Sequence, residues 1–274
     1  MWGYLEDASH YRGFADKILI PESEAELLAM LSEAQSSATP VTIAGGGSGL
    51  TGGRVPEGGW SISMEKFKRL EIHTGYAIAG AGVLLKDLHA AAKASGQFYP
   101  PDPTEVMAAI GGTVSCNASG SRSFLYGSTK RWVRRLRVAF LNGAQIDVRR
   151  GEKIDFEVSP VRRPTSTKHS AGYPLQAGMD WIDLISGSEG TLGIVIEAEL
   201  ELLPWPKDLL NGIVFFDNDE RCLEAIDAWR SIPGLRMLEY VDKPSLDLIR
   251  PKYNEMPAGA VARVPGLAEL PREV

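Results

Sequence analysis

Hydrophobic positions along this chain change period several times, and each change predicts an element. Ile18-Leu19-Ile20 is a short apolar run that reads as a first strand. Ser23 and Glu26 match a capping box, and Ala25, Leu27, Leu28, Leu31 and Ala34 then fall on one helical face. Val41-Thr42-Ile43 follows as a strand and runs directly into Gly45-Gly46-Gly47-Ser48-Gly49. Strand, helix, strand in this order predicts a βαβ unit with a right-handed crossover. Trp60 to Met64 and Ala77 to Ala79 read as further strands, and Leu84 to Ser95 as a helix that Gly96 ends.

The pattern then weakens. Tyr99 to Ser128 is proline-led, rich in small residues and reads as irregular. Trp132 to Leu141 and Gln145 to Val148 predict two strands joined by the Asn142-Gly143 turn. Arg149 to Gly178 is polar and assigns to nothing, whereas Ile194 to Leu203 is a long strand that Pro204-Trp205-Pro206 breaks. That break is the expected domain boundary. Beyond it a strand (Gly212 to Phe216), a helix (Asp219 to Arg230) and a strand (Arg236 to Val241) are expected. Asp219 is expected to cap the helix, and Cys222, Leu223, Ile226 and Trp229 to form its buried face. Two strands on one helix cannot bury enough surface to stand alone. The fold class is therefore α+β: a domain of two subdomains over 1–206, followed over 207–274 by the start of an incomplete α/β cap.

Composition narrows the function. The 274 residues are 44% hydrophobic and 23% charged, with a formal net charge of -6, which suits a globular domain and offers nucleic acid no basic field. The alternating run Lys130 to Arg137 accordingly reads as a strand with one solvated face, not as a docking site. Two distant cysteines, Cys116 and Cys222, make neither a disulfide framework nor a zinc site, and no metal is expected. Residues Met1 to Asp7 lack the pattern of a signal peptide, and no apolar run reaches the ~18 residues of a transmembrane segment. A cytoplasmic protein is expected.

The 29 glycines are concentrated in runs, and the strongest is Ala44 to Gly53. A strand feeding such a run can turn several backbone N–H groups toward one point, with no Cβ to hold a phosphate or pyrophosphate away. Gly47 to Gly52 formally matches the dinucleotide fingerprint G-x-G-x-x-G. The fingerprint needs a following helix, however, and Pro56, Gly58 and Gly59 oppose one. A nicotinamide dehydrogenase is disfavoured by the same argument. Farther on, Tyr99 to Thr104 is a rigid turn leading to Ile110 to Gly120, where small residues would let a planar aromatic group lie against main chain. Gly187 to Gly193 offers another close approach.

Together and in this order, these segments resemble the FAD domain of the para-cresol methylhydroxylase/vanillyl-alcohol oxidase superfamily. The resemblance is carried by Pro40 to Pro56, Pro101-Asp102-Pro103 with Gly111-Gly112, Tyr126-Gly127, and Gly187 to Gly193. The nearest branch is similar to the glycolate oxidase flavin subunit, D-lactate dehydrogenases and alkyl-dihydroxyacetone-phosphate synthase. The resemblance implies that Gly45, Gly46, Gly47, Ser48, Gly49 and Leu50 hold the pyrophosphate. It implies that Asp102, Pro103, Thr104, Ala108, Gly112, Ser115, Asn117 and Ala118 line the flavin and its ribityl chain. Glu189, Gly190, Gly193 and Ile194 would lie along the adenosine.

Ser48 stands where covalently linked relatives carry a histidine, and Cys116 follows the Gly111-Gly112 pair instead of preceding it, so non-covalent FAD is implied. Ala44 replaces an arginine of many relatives, which removes one accessory contact. The implied chemistry is oxidation of a small 2-hydroxy acid, with a quinone, flavoprotein or cytochrome as electron acceptor. Such a reaction needs a general base, usually histidine. Of His10, His73, His89 and His169 only the last lies near a flavin loop, and the catalytic residue is not assigned. The resembled branch carries its catalytic histidines in a C-terminal portion with no counterpart in these residues. The alternative is a split or degenerate flavin-binding module that needs a second polypeptide for activity.

Overall fold

Ser23 starts the first helix as its spacing predicts. Its hydroxyl accepts from the Glu26 N–H at 3.2 Å, while the Glu26 carboxylate accepts from the N–H of Glu22 at 2.9 Å. The computed structural model describes residues 2–162, 164–166, 172–173 and 175–254. The chain divides into two compact units, Met1–Pro206 and Lys207–Val274.

The first unit begins with β1 (Lys17–Leu19), α1 (Glu24–Ser36), β2 (Val41–Ala44) and β3 (Trp60–Ser63). β1 and β2 both pair with β3 in parallel, so the expected βαβ crossover is present but spans a strand inserted between its two ends. Leu27, Leu31 and Ala34 are buried on α1, whereas Leu28 is half-buried and Ala25 exposed, a narrower stripe than predicted.

Next come β4 (Leu70–His73), β5 (Tyr76–Gly80), α2 (Leu85–Ala94), β6 (Gln97–Phe98), α3 (Ile110–Ser115), α4 (Ser123–Tyr126), β7 (Val133–Ala139), β8 (Gln145–Arg149), α5 (Trp181–Ile185), β9 (Ile194–Glu201) and β10 (Leu203–Pro204). The order β4-β5-β9-β7-β8 makes one antiparallel sheet. Leu85 and Leu88 of α2 and Ile110 and Val114 of α3 share a core with Ala77, Leu136, Val195 and Leu200 from the strands. A second core joins Leu27, Leu31, Ile62 and Met64 to Ala139, Ile194 and Ile196, and so welds the two sheets together. The stretch read as irregular, 99–128, holds α3 and α4. Glycines and small residues hid α3, because Gly111 and Gly112 oppose a helix by propensity while their size lets it approach Ala81 and the glycine loop.

Only Val133 to Arg137 of the basic run lies on β7, since Lys130 to Trp132 form a 3-10 turn before it, and the arginines on the strand are paired. Arg134 and Arg135 reach the buried carboxylates of Glu199 and Glu197 at 3.4 and 3.5 Å, and Arg137 reaches Glu24 at 2.7 Å. Buried carboxylates on a sheet need such partners, and the strand's charge is absorbed there.

The second unit departs from expectation. Its described residues hold α6 (Asp219–Trp229) and α7 (Lys243–Asn254) and no strand, so neither Gly212 to Phe216 nor Arg236 to Val241 forms a ladder. Strand-like composition is insufficient without a partner edge, and Ile213, Val214, Met237 and Val241 stand exposed. The cap of α6 is Asn218, not Asp219: its backbone is extended and its side chain accepts from the Arg221 N–H at 3.0 Å. Asp219 occupies the first turn, where a negative charge suits the helix dipole. No α6 residue is buried, and Leu223 of the predicted face is exposed. Among the described residues no helix is long and apolar enough to cross a membrane.

Candidate cofactor site

The first unit contains a cleft of about 420 Å³ between the glycine loop after β2, the 103–119 segment around α3, and the loop leading into β9. Its size is that of a small-molecule or cofactor site. The loops meet closely. A Cβ on Gly46 would lie 2.4 Å from the Met107 carbonyl oxygen and 3.0 Å from the Ala109 nitrogen. The Glu189 N–H donates to Ser115 O at 2.8 Å and the Gly187 N–H to Val114 O at 3.1 Å, which fixes the third loop to α3.

The sequence-predicted residues converge here. Gly45, Gly46, Gly47, Ser48, Gly49 and Leu50 line one side, and Pro103, Thr104, Ala108, Gly112, Ser115 and Ala118 the facing side. Glu189, Gly190, Gly193 and Ile194 complete the wall. Two residues stand behind it. Asp102 is held by Arg122 through bonds of 2.9 and 3.0 Å and so secures the segment from outside. The Asn117 side chain accepts from the Lys130 N–H at 2.9 Å, and its backbone takes a φ of 47° to turn the chain after α3. Glu189 is likewise left-handed at φ 55°. Such conformations cost energy in non-glycine residues and collect at functional loops, where the surroundings impose them.

Main-chain geometry gives the glycine loop its chemistry. Gly47 has φ 75°, a left-handed conformation that favours glycine, and among the described residues no protein acceptor takes the N–H groups of Gly46 to Leu50. Unpartnered donors at a cleft wall are what an anion with several oxygens requires. The facing wall is small and largely apolar, and Ser115 brings a hydroxyl to it. A dinucleotide with a flat ring at one end fits this donor set and this wall.

Sequence reasoning missed Asp7 and Arg54, which also line the cleft. Asp7 precedes the first strand by ten positions and carried no local motif. Arg54 follows the glycine run and carried no motif of its own. Of the histidines, His89 faces Asp102 at 3.7 Å behind the wall, where burial lowers its pKa despite that carboxylate, and His169 lies outside the described residues. Among the described residues no histidine lines the cleft, and no cluster of side chains has the makings of a metal site.

Comparison with known proteins agrees with this geometry. Residues 15–149 match the FAD binding domain family. The chain is 33% identical over 236 residues to a D-lactate dehydrogenase of Archaeoglobus fulgidus, an alignment covering 84% of this chain and 48% of that protein. It is 31% identical over 255 residues to the glycolate oxidase subunit GlcD of Bacillus subtilis, covering 90% of this chain and 50% of the relative. In fold it is similar to a solved alkyldihydroxyacetonephosphate synthase, with a TM-score of 0.61 at 21% identity over 78% of this chain and 36% of that one. The chain thus spans about half the length of the curated relatives it matches.

Proposed function

We propose that this chain, whose residues 15–149 match the FAD binding domain family, holds FAD non-covalently for the oxidation of a small 2-hydroxy acid. One observation carries the reading. Gly46 to Leu50, whose N–H groups have no partner among the described residues, line the cleft opposite a wall of small residues, and the two together suit a diphosphate joined to a flat ring. Bound there, FAD would supply the two-electron acceptor that the protein's own side chains lack. Gly46 to Leu50 would hold its diphosphate, and Ala108, Gly112, Ser115 and Ala118 would flank the ring system and exclude water from it. The substrate class is suggested by the relatives, a D-lactate dehydrogenase and a glycolate oxidase subunit.

The purified chain is expected to be yellow and to release all its flavin as FAD on acid precipitation. The result is not trivial, because Cys116 stands in the cleft wall. Although Cys116 is exposed at the cleft surface, crowding by surrounding protein first, and the Glu189 carboxylate second, push its thiol up and away from the thiolate that attacks a flavin ring. Chromatography of the supernatant reads the outcome. Flavin left in the pellet would mean covalent attachment, and FMN in solution would refute the dinucleotide.

A second reading, a flavin-binding module that needs another polypeptide, is favoured by the histidine-free cleft among the described residues. A placed general base contributes ~10²–10⁴-fold, and substrate positioning contributes more. Anaerobic addition of D-lactate, glycolate or 2-hydroxyglutarate to the 274-residue chain is therefore expected to bleach little flavin. Bleaching at an enzyme-like rate would discard this second reading and make His169 the first residue to replace.

A further inference from the structure

Among the described residues the charged side chains lining the cleft are Asp7, Glu105, Glu189 and Arg54. Three carboxylates oppose any anion brought there, and a single guanidinium offsets them. How that guanidinium is held therefore matters. Arg54 Nη1 donates to the Gly45 carbonyl at 2.8 Å, and Nε and Nη2 donate to the Glu6 carbonyl at 3.0 and 2.8 Å. Nη2 also donates to the Gly3 carbonyl. These acceptors are neutral main-chain oxygens, and they leave one N–H on Nη1 unused. Among the described residues no carboxylate forms an ion pair with Arg54. Its half-buried charge is oriented by main chain, and Asp7 and Glu6 are the carboxylates near enough to attract it.

Its position is equally specific. A Cβ on Gly47 would come within 2.6 Å of the guanidinium carbon, so the charge lies directly against the loop whose N–H groups are unpartnered. The Ala8 N–H donates to Gly47 O at 3.1 Å, so Arg54 and the 3–8 segment brace the loop from one side. From that same segment Asp7, itself buried, approaches a Gly49 Cβ to 3.4 Å with its Oδ2. A diphosphate entering the loop would meet that carboxylate, and among the described residues no cation but Arg54 lines the cleft.

Resting on the flavin reading above, we propose that Arg54 is the charge of this anion site, a binding residue that draws the diphosphate of the dinucleotide onto the Gly46–Leu50 donors against the repulsion of Asp7. The chain then recovers from after the loop a cation that the residue before it, Ala44, does not supply.

The test compares FAD, ADP and riboflavin binding to the flavin-free full chain and its variants by fluorescence and calorimetry. Arg54→Met is expected to weaken FAD and ADP by about 10- to 100-fold, the worth of a charge-assisted contact, and to move riboflavin, which has no phosphate, by less than about threefold. Arg54→Lys keeps the charge and should retain most of the FAD affinity. Adding Asp7→Asn to Arg54→Met should recover part of what was lost, and the salt dependence of FAD binding should flatten in Arg54→Met. Parallel losses for FAD and riboflavin, or no loss, would overturn the proposal by leaving Arg54 a brace only. Circular dichroism checks that each variant folds, and Arg54→Lys carries the test if Arg54→Met does not. Arg54-dependent binding of ADP by a wild-type chain that ignores FAD and riboflavin would refute the flavin reading but keep the anion site. Binding of none of the three would sink both.

Discussion

Gly46→Val is expected to abolish FAD co-purification while the chain stays folded. The added carbon would sit 2.4 Å from the Met107 carbonyl oxygen and 3.3 Å from Ala108 Cα, and backbone cannot step aside as a side-chain end can. Either the glycine loop or the 107–109 segment must move, and these are opposite walls of one cleft. Overpacking of this kind costs about 1–3 kcal/mol, with more for a β-branched group, and the displacement falls where the ligand oxygens must approach. Gly46 is not in the cores of the unit, so the melting temperature should fall by no more than roughly 10 °C and the fold should survive. Gly49→Ala is the contrast, since its Cβ would meet only Asp7 Oδ2 at ordinary contact distance. Ser48→Ala should also retain flavin, because the role assigned to that position belongs to its N–H. The flavin-to-protein absorbance ratio after purification measures all three, and wild-type occupancy in Gly46→Val would place the diphosphate elsewhere.

Gly120→Ala is expected to act on stability instead. Its Cβ would lie 1.7 Å from the Asp102 carbonyl oxygen and 2.6 Å from the Pro103 nitrogen, an overlap that no rotation relieves. The two segments cannot separate cheaply, because Arg122 clamps Asp102 from the residues just after Gly120. We expect a loss of about 3 kcal/mol or more, the upper end for overpacking, seen as a melting temperature lower by roughly 10 °C. Gly112→Ala separates packing from ligand space. Nothing lies within 4 Å of its Cβ, so stability should hold while the new methyl stands in the cleft and weakens FAD. A Gly120→Ala chain that melts with the wild type would show that the contact relaxes freely, contrary to this account.

Much of the first unit was legible in its periodicity. Ser23 and Glu26 marked a helix start because capping is local, and Asn142-Gly143 marked a hairpin because its turn chemistry is local too. What was not legible depends on partners distant in sequence. β3 enters between β1 and β2, which no local pattern encodes, and β4 reads as polar because its residues are only half-buried. In the second unit the same dependence works in reverse, since apolar stretches without a neighbouring edge remain outside any ladder. The site was legible where glycine is required by close approach, as at Gly46 and Gly47. It was not legible at Arg54 and Asp7, whose placement follows from tertiary contacts with the loop, and the tie of Asp102 to Arg122 is tertiary in the same way.

The larger sheet has one further consequence, for synthesis. Its central strand, β9, is the last of the five to leave the ribosome, yet it joins Tyr76–Gly80 to Val133–Ala139. Until Ile194–Glu201 emerges, β4–β5 and β7–β8 are two separate hairpins, each with an edge that belongs against β9. At ordinary elongation rates that interval lasts a few seconds. Both edges are templates for pairing with another nascent chain on the same message, so polysome density and holdase supply should govern the yield of native protein. The segment that closes the cleft is also the one that ends this exposure.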